Sequence, residues 1–167
     1  MLQKHTTTTS TTRNRREWLA MLAGAAGGAV AIGGMELFAA HHAMPLMAVP
    51  FATSIVLVLG SPDAEPAQPR ALIGGHLISS LVGLLLLSVF GQDAWVAALA
   101  VGVAMVAMHA TRTFHPPAGI DPLLIVVNNM PWTFLLVPVA AGAVALAAFA
   151  YAWHLAVRRF DWPTRWW

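Results

Sequence analysis

The chain has 167 residues, 58% of them apolar and only 10% charged, with a mean hydropathy of +0.68 and a formal net charge of +2. Soluble domains do not have that composition, so the chain reads as an integral membrane protein. It contains no cysteine, which excludes disulfides and thiolate metal sites and leaves histidine and carboxylate as the available ligands.

Residues 1–17 form a threonine-rich tail without apolar periodicity, expected to be disordered and cytoplasmic. Arg15 and Arg16 before a Gly/Ala-rich run also resemble a twin-arginine export signal. Against that, the run 18–40 is long enough for a retained span, and Glu36 is out of place in a signal core. Further apolar runs cover 43–60, 71–90, 94–111 and 132–157, and a short one covers 118–130.

These runs predict an all-α membrane domain over 18–157 with about six transmembrane segments, one of them short (118–130) after a proline-broken junction. Residues 158–167 are then a cytoplasmic or interfacial tail. The short segment crosses incompletely, starts below the surface, or dips in and returns. Charge favours crossing. If all six segments cross, all nine Lys and Arg residues fall on one side, as the positive-inside rule requires of a cytoplasmic face, and both termini are cytoplasmic. Trp18, Trp95, Trp132, Trp162, Trp166 and Trp167 fall at span ends, where interfacial anchoring accounts for them, and His154 beside Trp153 reads the same way. Asn128, Asn129 and Pro131 read as a turn.

Small-residue pairs mark close helix approach: Gly24 with Gly28, then Gly75, Ser79 and Gly83, then Ala98 with Gly102. Tight packing or an oligomer seam explains most of them, and a homo-oligomer is expected. Gly74 and Gly75 stand apart because they lie between Arg70 and His76.

Functional chemistry is expected at two polar junctions on the same side of the membrane. One runs from Ser61 through Gln68, Pro69 and Arg70 into Gly74, Gly75 and His76; the other runs from Thr111 through Arg112, Thr113, His115, Pro116 and Pro117 to Gly119. Ionisable groups and broken helices at membrane depth are costly and persist where they pair or line a polar path. Each junction ends at a helix start, which offers free N–H groups and a positive dipole end. Helical spacing groups His109 with Arg112 and Thr113, and His76 with Ser79 and Ser80.

Arg70, Arg112, His76 and His115 would make an electropositive vestibule, with Thr111, Thr113, Ser79 and Ser80 replacing the water of a dehydrating solute. That pattern suits a small anion or polar neutral solute better than a metal cation. Topology marking by snorkelling arginines is the competing explanation for Arg70 and Arg112.

The sequence His115-Pro116-Pro117-Ala118-Gly119, with Thr111, Thr113, Gln68-Pro69-Arg70, Gly74-Gly75-His76 and Ser79, resembles the HPP family of integral membrane proteins over roughly residues 18–157. The resemblance implies a small multi-span transporter or channel, with nitrite the substrate proposed for chloroplast and cyanobacterial relatives and a bacterial inner membrane as the location. The chain departs from the family pattern at Ile120-Asp121-Pro122. An ionised Asp121 facing the path would repel an anion, whereas Asp121 paired with Arg112 or His115, or protonated, would link transport to protons.

The reading is therefore movement of a small monovalent anion, nitrite first, between the His115 and His76 junctions, with lipid and the anion as partners and no cofactor or metal. Two alternatives stay open: a haem or metal site drawing on His41, His42, His76, His109 and His115, and a structural or sensory subunit. Neither enzyme motifs nor a nucleic-acid signature is present, since the basic residues are explained by orientation.

Overall fold

The computed structural model describes residues 15–42, 47–158 and 162–166. Among them there are helices and turns and no strand. Six α-helices follow in order: α1 Arg15–His41, α2 Val49–Gly60, α3 Pro69–Phe90, α4 Ala94–Ala110, α5 Ile120–Val127 and α6 Ala141–Trp153. Two 3-10 turns, Glu65–Ala67 and Pro116–Gly119, precede α3 and α5, and wider π-type turns flank α6 at Leu135–Ala140 and His154–Arg158.

Among the described residues, three helical stretches are long and apolar enough to cross a membrane: Arg15–His41, Pro69–Phe90 and Leu135–Val157. Helix α3 is the axis of the fold. Proline at its first position and extended Gln68 (φ −78°, ψ 154°) start it, and Gly91 at φ +82° ends it. Its 22 residues span about 33 Å at 1.5 Å per residue. In the stretch Leu135–Val157, Val137 is non-helical (φ −135°, ψ 119°) just before Pro138, which has no N–H to continue the ladder.

The segment from Thr111 to Val127 packs along α3 from one end to the other. Arg70 bonds Thr111, Gly74 meets Thr113, Gly75 meets His115, Ser79 bonds Ala118, Ser80 bonds Asp121 and Gly83 meets Pro122. Beyond the far end of α3, the Gln92 side chain donates to the Val127 carbonyl at 2.6 Å. The short segment therefore runs beside α3 along its whole length. Thr111 to His115 runs without α-helix beside the first turns of α3, and α5 continues along it. An eight-residue helix rises only about 12 Å, and the non-helical approach supplies the rest.

The apolar core lies between α2, α3 and α6 and includes Phe51, Ile55, Leu59, Leu72 and Leu146. Phe51 occupies the space that a side chain at Gly142 would need. Many large apolar residues, among them Leu22, Val56, Val89, Val106 and Leu155, point outward, as a lipid-facing surface requires.

Several expectations change. Helix α1 begins at Arg15, so the last three residues of the expected tail 1–17 are helical, while 1–14 lie outside the described residues. Trp162 and His154 are not interfacial. Trp162 is buried, stacks on His154 at 5.6 Å and donates Nε1–H to the Ala67 carbonyl, and His154 donates from Nε2 to the Val58 carbonyl. The tail 158–167 thus folds back onto the body at 162–166. In α1 the close approach is made by Gly27, where a Cβ would stand 2.6 Å from the Trp153 ring, whereas nothing lies near Gly28 or Gly102.

Candidate functional site

The two sequence junctions meet on either side of the Pro66 carbonyl. On the outer side is a cavity of about 490 Å³ lined by Glu65, Pro66, Arg70, His109, Arg112 and Arg165, with Gln68, Phe114 and Trp166 among its other walls. Arg70 is half-buried and its Nη2 donates to the Thr111 carbonyl at 3.1 Å, which ties the start of α3 to the end of α4. Arg112 is exposed at φ +56°, a left-handed conformation that turns the chain sharply out of α4. The expected helical face of His109, Arg112 and Thr113 therefore does not exist, because α4 stops at Ala110. His109 instead stacks on Phe114 at 4.0 Å, and both rings wall the cavity.

On the inner side of Pro66 is a buried chain of polar groups. His115 Nδ1 donates to the Pro66 carbonyl at 2.6 Å, and its Nε2 lies 2.9 Å from Ser54 Oγ. Ser54 Oγ in turn lies 2.8 Å from His76 Nε2, and His76 Nδ1 lies 2.7 Å from Asp121 Oδ2. Ser80 also donates to Asp121 Oδ2, at 3.1 Å. Ser54, His76, Ser80, His115 and Asp121 are all at 0% exposure. The expected i, i+3, i+4 face of α3 carries His76 and Ser80 to Asp121, while Ser79 donates to the Ala118 carbonyl at 2.6 Å and pins the 3-10 turn.

Asp121 takes His76 as partner, not Arg112 or His115. Its other oxygen, Oδ1, is buried without a hydrogen-bond partner. A buried carboxyl needs a compensating charge or a proton, and His76 is the titratable group in contact with it.

The glycines explain how the junctions approach so closely. A Cβ at Gly74 would stand 2.5 Å from Thr113 Cγ2, and one at Gly75 would stand 2.5 Å from His115 Cβ and 2.8 Å from the Thr113 carbonyl. Gly119 has open space around it, and no contact assigns it to the path. Gln68 is a bracket: its Nε2 donates to the Pro62 and Ala64 carbonyls, and its Oε1 accepts from the N–H groups of Thr164 and Arg165. Thr111 Oγ1 donates back to the Ala107 carbonyl and shares a 2.7 Å contact with Thr113 Oγ1, so these hydroxyls finish α4 at the rim.

Ser54 escaped the sequence reading, since a lone serine in an apolar helix has no spacing signal. The histidines do not assemble into one centre. His41 and His42 contact each other at the end of α1, His109 lies at the cavity wall, and the ring nitrogens of His76 and His115 are all engaged. Among the described residues no three His or acidic groups cluster as a metal site.

A multi-pass helical membrane protein with a proline-broken half-helix and a buried polar core is thus defined. Residues 10–163 match the family described as HPP, transmembrane region, and the chain belongs to that family. Two transmembrane proteins of Dictyostelium discoideum are similar to it. One is 36% identical over 125 residues, covering 70% of this chain and 40% of the relative; the other is 33% identical over 125 residues, covering 70% and 44%. The chain therefore spans less than half the length of these relatives. No solved structure matches it.

Proposed function

We propose that the protein moves a small monovalent anion, nitrite first, across a bacterial inner membrane, with its arginine-bearing end and both termini in the cytoplasm. The carrying observation is the cavity edged by Arg70, Arg112 and Arg165, which shares the Pro66 wall with the buried His115 chain. Three guanidinium groups around one concavity attract and hold an anion, and the donors of Arg match a carboxylate-like or nitrite oxygen pair. The half-helix behind it begins from non-helical backbone whose innermost residues, His115 and Ala118, are enclosed by protein, the condition under which broken segments persist at membrane depth. Glycine faces that meet nothing within the protomer, at Gly28, Gly33, Gly34 and Gly102, suit contact between copies.

Nitrite uptake into proteoliposomes, measured against protein-free vesicles, tests this reading. Protein-dependent uptake that falls in Arg70→Ala and His115→Ala variants of normal fold supports it. Equal uptake in wild type, variants and empty vesicles overturns it.

A further inference from the structure

Proton counting along the buried chain carries a further step. Pro66 offers only a carbonyl, so His115 Nδ1 must hold a proton. With Asp121 ionised and His76 doubly protonated, His76 donates to Asp121 Oδ2 and to Ser54 Oγ, and Ser54 donates to His115 Nε2. Each contact along the chain is then made, Ser54 turning its single proton to His115 Nε2 and away from the Pro50 carbonyl 3.3 Å off, and the group is neutral overall. Asp121 Oδ1 is left as the buried acceptor of the group without a hydrogen-bond partner.

We infer that Asp121, His76, Ser54 and His115 form a proton relay that converts protonation of Asp121 into a positive charge on His115, beside the anion cavity. A proton binds Asp121 Oδ1, His76 passes its Nε2 proton to Ser54, and Ser54 passes its hydroxyl proton to His115 Nε2. Afterwards Asp121 and His76 are neutral, His115 is a cation, and Ser54 still has one proton, now directed at His76 Nε2. One proton has been taken up and one positive charge gained, with each hydrogen bond of the chain kept and only the two at Ser54 reversed in direction.

The other charged or titratable groups facing this chain sit beyond Pro66: Glu65, Arg70, His109, Arg112 and Arg165 line the cavity. His154 on the α6 side is directed at Val58. None of them lies in the hydrogen-bond path. An anion in the cavity and a proton at Asp121 therefore favour each other reciprocally. This linkage rests on the anion reading above, whereas the relay does not.

The test uses the full chain in lipid nanodiscs with nitrogen-15-labelled histidine, the His115 signal being assigned by its loss in His115→Gln. On acidification wild-type His115 is expected to gain its second ring proton, and Ser54→Ala and Asp121→Asn are expected to abolish that gain. Ser54→Thr, which keeps a hydroxyl, restores it. Added nitrite should move the gain to higher pH, with nitrite binding tightening by about tenfold per pH unit where one proton is taken up per anion.

A His115 that stays neutral throughout, or that titrates unchanged in folded Ser54→Ala and Asp121→Asn, overturns the relay. A relay that operates but ignores nitrite overturns the linkage and the placing of the anion in this cavity, while leaving the relay standing.

Discussion

Gly75 lies against His115 so closely that a Cβ on it would stand 2.5 Å from the histidine Cβ and 2.8 Å from the Thr113 carbonyl. The missing side chain of one junction is thus what admits the other to the interior. Neither neighbour is the free end of a flexible group, so the segment from Thr113 to His115 would have to move. Gly75→Ala is expected to destabilise the protein by about 1–3 kcal/mol through overpacking, lowering its melting temperature in detergent by a few degrees. Gly102→Ala, with nothing near its Cβ, is the control and should leave the melting temperature of the dispersed protomer unchanged or slightly raised.

Gln68 fastens the chain beyond α6 to the loop before α3 through both ends of its amide. Gln68→Ala strands the buried Pro62 carbonyl, at a cost of about 1–3 kcal/mol for a buried group left unpaired, and releases the N–H of exposed Thr164 to water. The loss should be local. Trp162 fluorescence is expected to shift towards that of solvated indole, and limited proteolysis should cut after residue 158 sooner than in wild type. An unchanged cleavage pattern would show that Trp162 alone holds the segment.

Arg112 combines a left-handed backbone with a charge at the cavity rim, and two substitutions separate them. Arg112→Gly accepts φ +56° without strain but removes the charge, and Arg112→Lys keeps the charge with the same strain. If charge is what matters, nitrite uptake in Arg112→Gly should show KM raised by about two- to fivefold, an exposed charge being well screened, and the difference should shrink in high salt. Arg112→Lys should stay near wild type. A KM indifferent to the charge but sensitive to the backbone would make Arg112 a turn residue.

Periodicity and composition revealed what depends on single elements. The apolar runs gave the membrane class, and α3 spacing put His76, Ser79 and Ser80 on one inward face, where each is buried. The arginines of the two junctions do share a cavity. Hidden were the features made by contact between elements. Ser54 is one hydroxyl in an apolar helix and becomes a link only because His76 and His115 reach it from two directions. Asp121 stood out as a departure from the family pattern, yet its partner lies 45 residues back on α3, and nothing in local spacing names it. Arg112 seemed to continue the His109 face because a helical count cannot see a single left-handed residue. His154 and Trp162 were misplaced because an aromatic pair near a span end looks the same whether it meets headgroups or folds inward.

The pairing of His76 with Asp121 predicts an asymmetry between single and double changes. Both side chains are fully buried, so removing the imidazole leaves a carboxyl with neither counter-charge nor donor except Ser80. His76→Leu is therefore expected to destabilise by about 3–5 kcal/mol, the usual effect of breaking a buried pair from one side. Asp121→Asn should cost much less, because the amide keeps the shape and a donor and an acceptor for His76 and Ser80. The decisive comparison is the double variant His76→Leu with Asp121→Asn. Without a buried charge to strand, it should recover a large part of the loss, giving a coupling of at least about 1 kcal/mol by unfolding in mild detergent. Strict additivity of the two single changes would mean that the 2.7 Å contact contributes no more than its packing, and that Asp121 carries no charge for His76 to offset.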